Sequence, residues 1–198
     1  NSLTAGVTGD KSGWNYDLSA SMGSNSAYYT VDNSQNTDMG AESPTNFKPG
    51  GYEFRHTVTN FDLSRSSGMF TIGLGSEFRF ENFVALEGEE ASYFGGGAQS
   101  FPGIQPQNAV DVNRQNFGFY LDLGADLTED LYAGVAARSE EYSDFGSSFT
   151  WKAAARFKTM DDKLALRGSA STGFRAPSLH QIYMSNIQTL ISGGTVSN

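Results

Sequence analysis

Residues 117–127 read FGFYLDLGADL, and every second side chain among them is apolar. Phe117, Phe119, Leu121, Leu123, Ala125 and Leu127 fall on one side; Gly118, Tyr120, Asp122, Gly124 and Asp126 fall on the other. A period of two is that of a pleated strand, whose successive side chains point to opposite faces. The same alternation recurs at Trp14, Tyr16, Leu18 and Ala20, at Phe70, Ile72, Leu74, Phe78 and Phe80, and at Leu131, Ala133, Val135 and Ala137. It returns at Phe149, Trp151, Ala153, Ala155 and Phe157, and again at Leu164, Leu166, Ala170 and Phe174. Long helical patterns are absent, and no apolar run approaches the roughly 20 residues of a membrane-spanning helix. The chain is therefore read as all-β.

The connections alternate in length. Residues 10–12, 64–68, 128–130 and 160–163 make short turns, whereas 23–51 and 95–114 are long, polar and carry prolines. About eight strands joined as consecutive hairpins follow from this spacing. Short turns at one end and long loops at the other are the habit of transmembrane barrels. Residues 52–63 make a less regular strand, and beyond Glu81 the apolar parity changes, so a bulge is expected near Asn82.

Alternation alone suits a soluble sheet as well as a membrane barrel; the polar face separates them. Gly118, Tyr120, Asp122, Thr150, Lys152 and Arg156 suit a wet lumen, while Phe, Leu, Ala and Trp opposite them suit hydrocarbon. Trp14, Tyr16, Tyr52, Phe117 and Trp151 are expected near strand ends as interfacial aromatics. The negative mean hydropathy is compatible with either, because only alternate residues of a barrel face lipid. A soluble β-sandwich would instead pack the apolar faces of 117–127 and 149–157 on each other.

A net charge of −9 argues against nucleic acid, and the absence of cysteine removes disulfides and thiolate metal sites. Neither a GxSxG elbow nor an HExxH motif occurs, so no catalytic residue is assigned. His56 and His180 lack neighbours at metal-ligand spacing and are read as a lumen or interface residue and a loop residue, and no cofactor or metal is expected. Glu87, Glu89, Glu90, Glu140, Glu141 and Asp144 are read as a solvated acidic rim rather than as oxygen ligands of a divalent cation.

One stretch carries more specific information. Gly173-Phe174-Arg175-Ala176-Pro177-Ser178 cannot lie inside a paired strand, since Pro177 has no N–H and biases Ala176 towards extended geometry. The segment is a strand end running into a loop, with Arg175 read as the anchor of the exit. Residues 171–179 closely resemble the strand-to-loop signature of TonB-dependent outer-membrane receptors, with supporting similarity at 82–93, 142–145 (YSDF) and 164–169. The resemblance implies a large antiparallel barrel in the outer membrane of a Gram-negative bacterium, in contact with membrane lipid. It also implies energy delivered by TonB and a scarce-nutrient cargo, most commonly a ferric siderophore or other iron complex. Residues 1–198 are then expected to be one part of the barrel domain, with the plug, the TonB-contacting segment and the C-terminal strands outside them. In such a receptor ligand capture falls to the long loops, by position to Tyr28, Tyr29 and Phe47 in the first and Tyr93, Phe94, Phe101 and Gln105 in the second. A passive porin or structural barrel, and the soluble β-sandwich binding module, are the alternatives.

Overall fold

The computed structural model describes residues 1–161, 163–184, 190–192 and 195–197. Eight strands form one antiparallel sheet, each hydrogen-bonded to its neighbours in sequence: β1 (Ser2–Lys11), β2 (Trp14–Val31), β3 (Phe47–Ser67), β4 (Phe70–Leu86), β5 (Val110–Asp126), β6 (Leu131–Tyr142), β7 (Gly146–Thr159) and β8 (Leu164–Ser171). The first hairpin turns on Ser12 and Gly13, both at positive φ, the backbone that matches the twist of the strands it joins. Two single-turn α-helices follow β4 and β8, α1 (Glu90–Tyr93) and α2 (Leu179–Tyr183). A separate small hairpin pairs β9 (Leu190–Ser192) with β10 (Thr195–Ser197), where the sequence shows no periodicity. The remaining tail positions, 185–189, 193–194 and 198, and Asp162 of the 160–163 turn, lie outside the described residues.

The sheet has one apolar and one polar face over the half nearest the short turns. Register places Tyr16, Leu63, Leu74, Leu121, Ala137 and Trp151 on one rung of the outer face, and Leu18, Phe61, Phe119 and Phe149 on the next. These side chains meet no second layer: Phe117 is 54% and Phe149 66% exposed. That excludes the sandwich, in which the faces of β5 and β7 would cover each other. The band spans about ten residues of each strand, the length that crosses a bilayer at a tilt. Its outer limit is the rung Ser24–Arg55–Asn82–Asn113, polar in all four strands. Beyond it β2 to β5 continue into water, so the loop expected at 23–51 shrinks to 32–46, while the one expected at 95–114 is displaced to 87–109.

The bulge expected near Asn82 does not form: β4 keeps an unbroken register with both β3 and β5. The parity of apolar residues changes because the environment does. Above the polar rung, Phe83 and Ala85 point into the lumen, where Leu179 of α2 and the flanking Tyr52, Phe54, Val110 and Val112 bury them. The irregularity of β3 has the same origin, with Phe61 and Leu63 outward but Tyr52 and Phe54 inward. Tyr52 is thus an interior residue, not an interfacial one. Trp151 faces outward but sits level with Leu121, well inside the band. The one register shift in the β2–β3 pair lies between Tyr29 and Val31.

Candidate functional site

The inner face is a polar wall held by charge pairs. Arg79 Nη2 lies 3.0 Å from Glu77 Oε1, and Arg138 Nη2 lies 2.9 Å from Glu140 Oε1 and 3.4 Å from the same Glu77 oxygen. Arg138 stands on β6 and Glu77 on β4, so its guanidinium crosses β5. Gly118 makes room, since a Cβ there would stand 2.9 Å from Arg138 Nη2. A second crossing occurs lower down, where Tyr120 of β5 donates to Asp62 of β3 over Gly75 of β4. Small residues on the polar face are what let long side chains tie strands that are not neighbours.

Above this wall, β8 ends at Ser171, before the aromatic that shares its apparent parity. Residues 172–178 fold back across the lumen face towards β4. Thr172 is pinned to Trp151 by its N–H (2.9 Å) and by accepting from the Trp151 N–H on Oγ1 (3.0 Å). Phe174 leans on Tyr142 and Phe145 at ring distances of 6.2 and 5.8 Å, while those two rings stack at 4.3 Å. Ser178 caps α2 in a reciprocal capping box with Gln181. Leu179 then enters the Phe83–Ala85 cluster.

Arg114, 2% exposed, ties the segment to the wall. It donates through Nε (2.8 Å) and Nη2 (2.6 Å) to Asp144 Oδ2 and through Nη1 to the Pro177 carbonyl at 2.7 Å. Glu81 Oε2 lies 3.9 Å away, and the guanidinium sits 5.4 Å from the Phe145 ring centre. The anchoring role expected of Arg175 belongs to Arg114. Arg175 is exposed and has no ion-pair partner among the described residues. Between the segment and the wall lies a cavity of about 500 Å³ lined by Arg79, Arg138, Glu140, Tyr142 and Arg175 among others. Sequence reasoning missed Arg114, assigning it to the end of a loop. Its inward parity with Asn116 and Gly118 was the available signal.

The two long loops interlock rather than stand open. Asn36, fully buried, donates from Nδ2 to the carbonyls of Ala91 (2.9 Å) and Phe94 (2.8 Å) and accepts from the Asp38 N–H. Ser34 Oγ donates to the Gln99 carbonyl at 2.7 Å, and Lys48 N–H donates to Glu89 Oε1 at 2.9 Å. Of the loop residues singled out from sequence, Phe47 is 2% exposed and serves packing. Tyr28 and Tyr29 are adjacent in one strand and face opposite ways. Tyr29 points inward, 6.1 Å from Tyr52 and 5.2 Å from Phe101. Tyr28 points outward and donates to Glu53, which also accepts from Arg55 at 2.8 Å. The hydrogen bond from Tyr28, then that from Arg55, holds the Glu53 carboxyl below its ordinary range. Phe94 and Phe101 are exposed, Tyr93 and Gln105 half-buried, and Gln105 accepts from Gln107.

His56 lies against Phe54 and His180 edge-on to Phe83, so both are part of the inner aromatic cluster. The acidic residues do not converge: Asp144 holds Arg114, Glu140 holds Arg138, and Glu141 faces outward beside Phe117. Among the described residues no group of three or more His, Cys, Asp or Glu could hold a metal ion.

No solved structure matches the chain. A family model does, described as TonB dependent receptor-like, beta-barrel, over residues 1–198. With its hairpin order, lipid-facing band and polar lumen, the chain belongs to the TonB-dependent receptor β-barrel family, transporters of the Gram-negative outer membrane.

Proposed function

We propose that this barrel segment serves the TonB-energised uptake of a ferric siderophore or another iron complex. The observation that carries the transport part is family membership over residues 1–198, joined to a wall that is apolar outside and charged inside. The iron part rests on the common cargo of the family and on the aromatic surface at the outer rim. Tyr29, Tyr93, Phe94 and Phe101 supply planar faces on which a chelator ring can stack. Tyr28 and Phe47 are left out of the ligand set, because one faces outward and the other is buried. Residues 1–198 act as a section of barrel wall; a plug and TonB-contacting segment on other parts of the receptor complete the gate. No bond of the cargo is made or broken: loops capture, and TonB pulling on the plug opens the lumen.

The test is accumulation of radiolabelled iron from a panel of ferric siderophores in iron-starved cells. Cells with the receptor, without it, and with the receptor but without TonB are compared. Loss of uptake in both deletion strains for at least one siderophore supports the proposal. Uptake that persists without TonB points to a passive barrel. Siderophore uptake unchanged by receptor loss, with TonB-dependent uptake of cobalamin or a glycan through the same receptor, overturns the iron cargo alone.

A further inference from the structure

We propose that Arg114 is a positioning residue that holds residues 172–183 inside the lumen as a strap, and that this strap, rather than the strand wall, moves when the sector opens. The strap differs from everything around it in how it is held. The strands of the wall are paired along their length, whereas the backbone N–H groups of Gly173, Phe174, Arg175 and Ala176 donate to no acceptor among the described residues. Between its ends at Thr172 and Leu179, the contacts that hold it are the Arg114 bond to the Pro177 carbonyl and the Phe174 ring against Tyr142 and Phe145. A segment with so few contacts opens at far lower free energy than the sheet that carries it.

The latch is also connected to the rest of the wall in a way that makes it cooperative. Arg114 stands on β5, Asp144 in the 143–145 turn between β6 and β7, Glu81 on β4, and Pro177 in the strap. A guanidinium this buried needs its acceptors, because leaving it unpaired in a low-dielectric site is strongly unfavourable. Losing Asp144 therefore weakens the grip on Pro177 without touching the strap itself. The helix α2 carries its own capping box, so it can leave the wall intact. The cavity of about 500 Å³ behind residues 173–176 becomes continuous with the lumen once the strap swings away. The movement as a step of passage rests on the transporter reading; the latch does not.

The test uses the full receptor in outer-membrane vesicles, cleared of any other cysteine, with Leu179→Cys as probe. Residues 1–198 contain no cysteine, and Leu179 is 1% exposed. Labelling by a membrane-impermeant maleimide is timed in the parent and in Arg114→Leu, Arg114→Lys, Asp144→Asn and Phe174→Ala. Heat-modifiable gel mobility reports whether the barrel itself is folded. Slow labelling in the parent, about tenfold faster or more in Arg114→Leu and Asp144→Asn, and intermediate in Arg114→Lys, is expected. Rapid labelling of the parent overturns the proposal, as does unchanged labelling in folded variants. If Arg114→Leu does not fold, Asp144→Asn and Phe174→Ala decide by the same criterion. None of these readings depends on the cargo or on TonB, so failure here leaves the transport proposal standing.

Discussion

Tyr120 donates a hydrogen bond to Asp62 Oδ1 at 2.6 Å, from β5 to β3, over the intervening strand β4 at Gly75. Asp62 is also the register partner of Asp17, so two carboxylates stand opposite each other on the inner face with the phenol beside one of them. Like charges directly opposed disfavour a pair of strands, and a hydroxyl donor to one of them offsets part of that. Tyr120→Phe in the full receptor should lower stability by roughly 1–3 kcal/mol. Urea titration of the folded barrel, followed by heat-modifiable mobility, measures it. If Tyr120→Phe is neutral while Asp62→Asn is stabilising, the hydrogen bond contributes nothing net.

Gly75 and Gly118 look alike in sequence and should behave differently. A Cβ at Gly75 would stand 2.3 Å from Asp62 Oδ1 and 2.8 Å from the backbone carbonyl of Phe61, which cannot move aside. At Gly118 the nearest atom, at 2.9 Å, is Arg138 Nη2, the far end of a flexible side chain. Gly75→Ala should cost roughly 2–4 kcal/mol and Gly118→Ala under about 1 kcal/mol. Equal costs in the same urea titration would show that the Gly75 crossing is not sterically required.

The polar rung Ser24–Arg55–Asn82–Asn113 places the outer limit of the hydrocarbon. Leu121→Arg, within the band, should cost roughly 2–4 kcal/mol of folding into lipid, and Asn113→Arg close to zero. Refolding into bilayers of defined thickness gives both values. A penalty at position 113 as large as that at 121 would move the boundary outward.

Asn36 holds the two long loops together from a fully buried position. Asn36→Ala removes the side-chain donor from the Ala91 and Phe94 carbonyls, of which Phe94 keeps the Gly97 N–H, and removes the cap on Asp38. The expected loss is local, roughly 2–3 kcal/mol of loop order. Hydrogen exchange should accelerate in 32–46 and 87–109 and stay unchanged in β3 to β6. Exchange that rises equally across the strands would mean that the loops and the wall unfold together.

The eight strands, their hairpin order and their two faces were legible in the sequence because each depends on neighbours two residues apart. Phe117, Leu121 and Leu123 alternate with Gly118, Asp122 and Gly124 whatever the remainder of the chain does, and the turn at Ser12-Gly13 needs only its own backbone. The family resemblance at 173–178 was readable for the same reason, as a local string. What the apolar side chains of β3 and β4 would meet was not local. Apolar residues occupy the inner face at Phe83 and Ala85, where Leu179, remote in sequence, returns to cover them, and a reading based on period took that change for a bulge.

The site shows the same division more sharply. Tyr28 and Tyr29 differ by one position and therefore by one face, yet only their contacts with Glu53 and Tyr52 say which of them looks inward. On paper Arg175 was the anchor and Arg114 only the end of a loop. Arg114 holds the strap because the strands bring it beside Asp144 and Pro177, contacts that exist only once β4 to β8 are side by side. By itself the sequence determined a lipid-facing and a water-facing surface, since period two is a property of the backbone. The tertiary structure decided which polar groups on the inner surface meet, because charge pairs and crossings join residues that only the register of the sheet brings together.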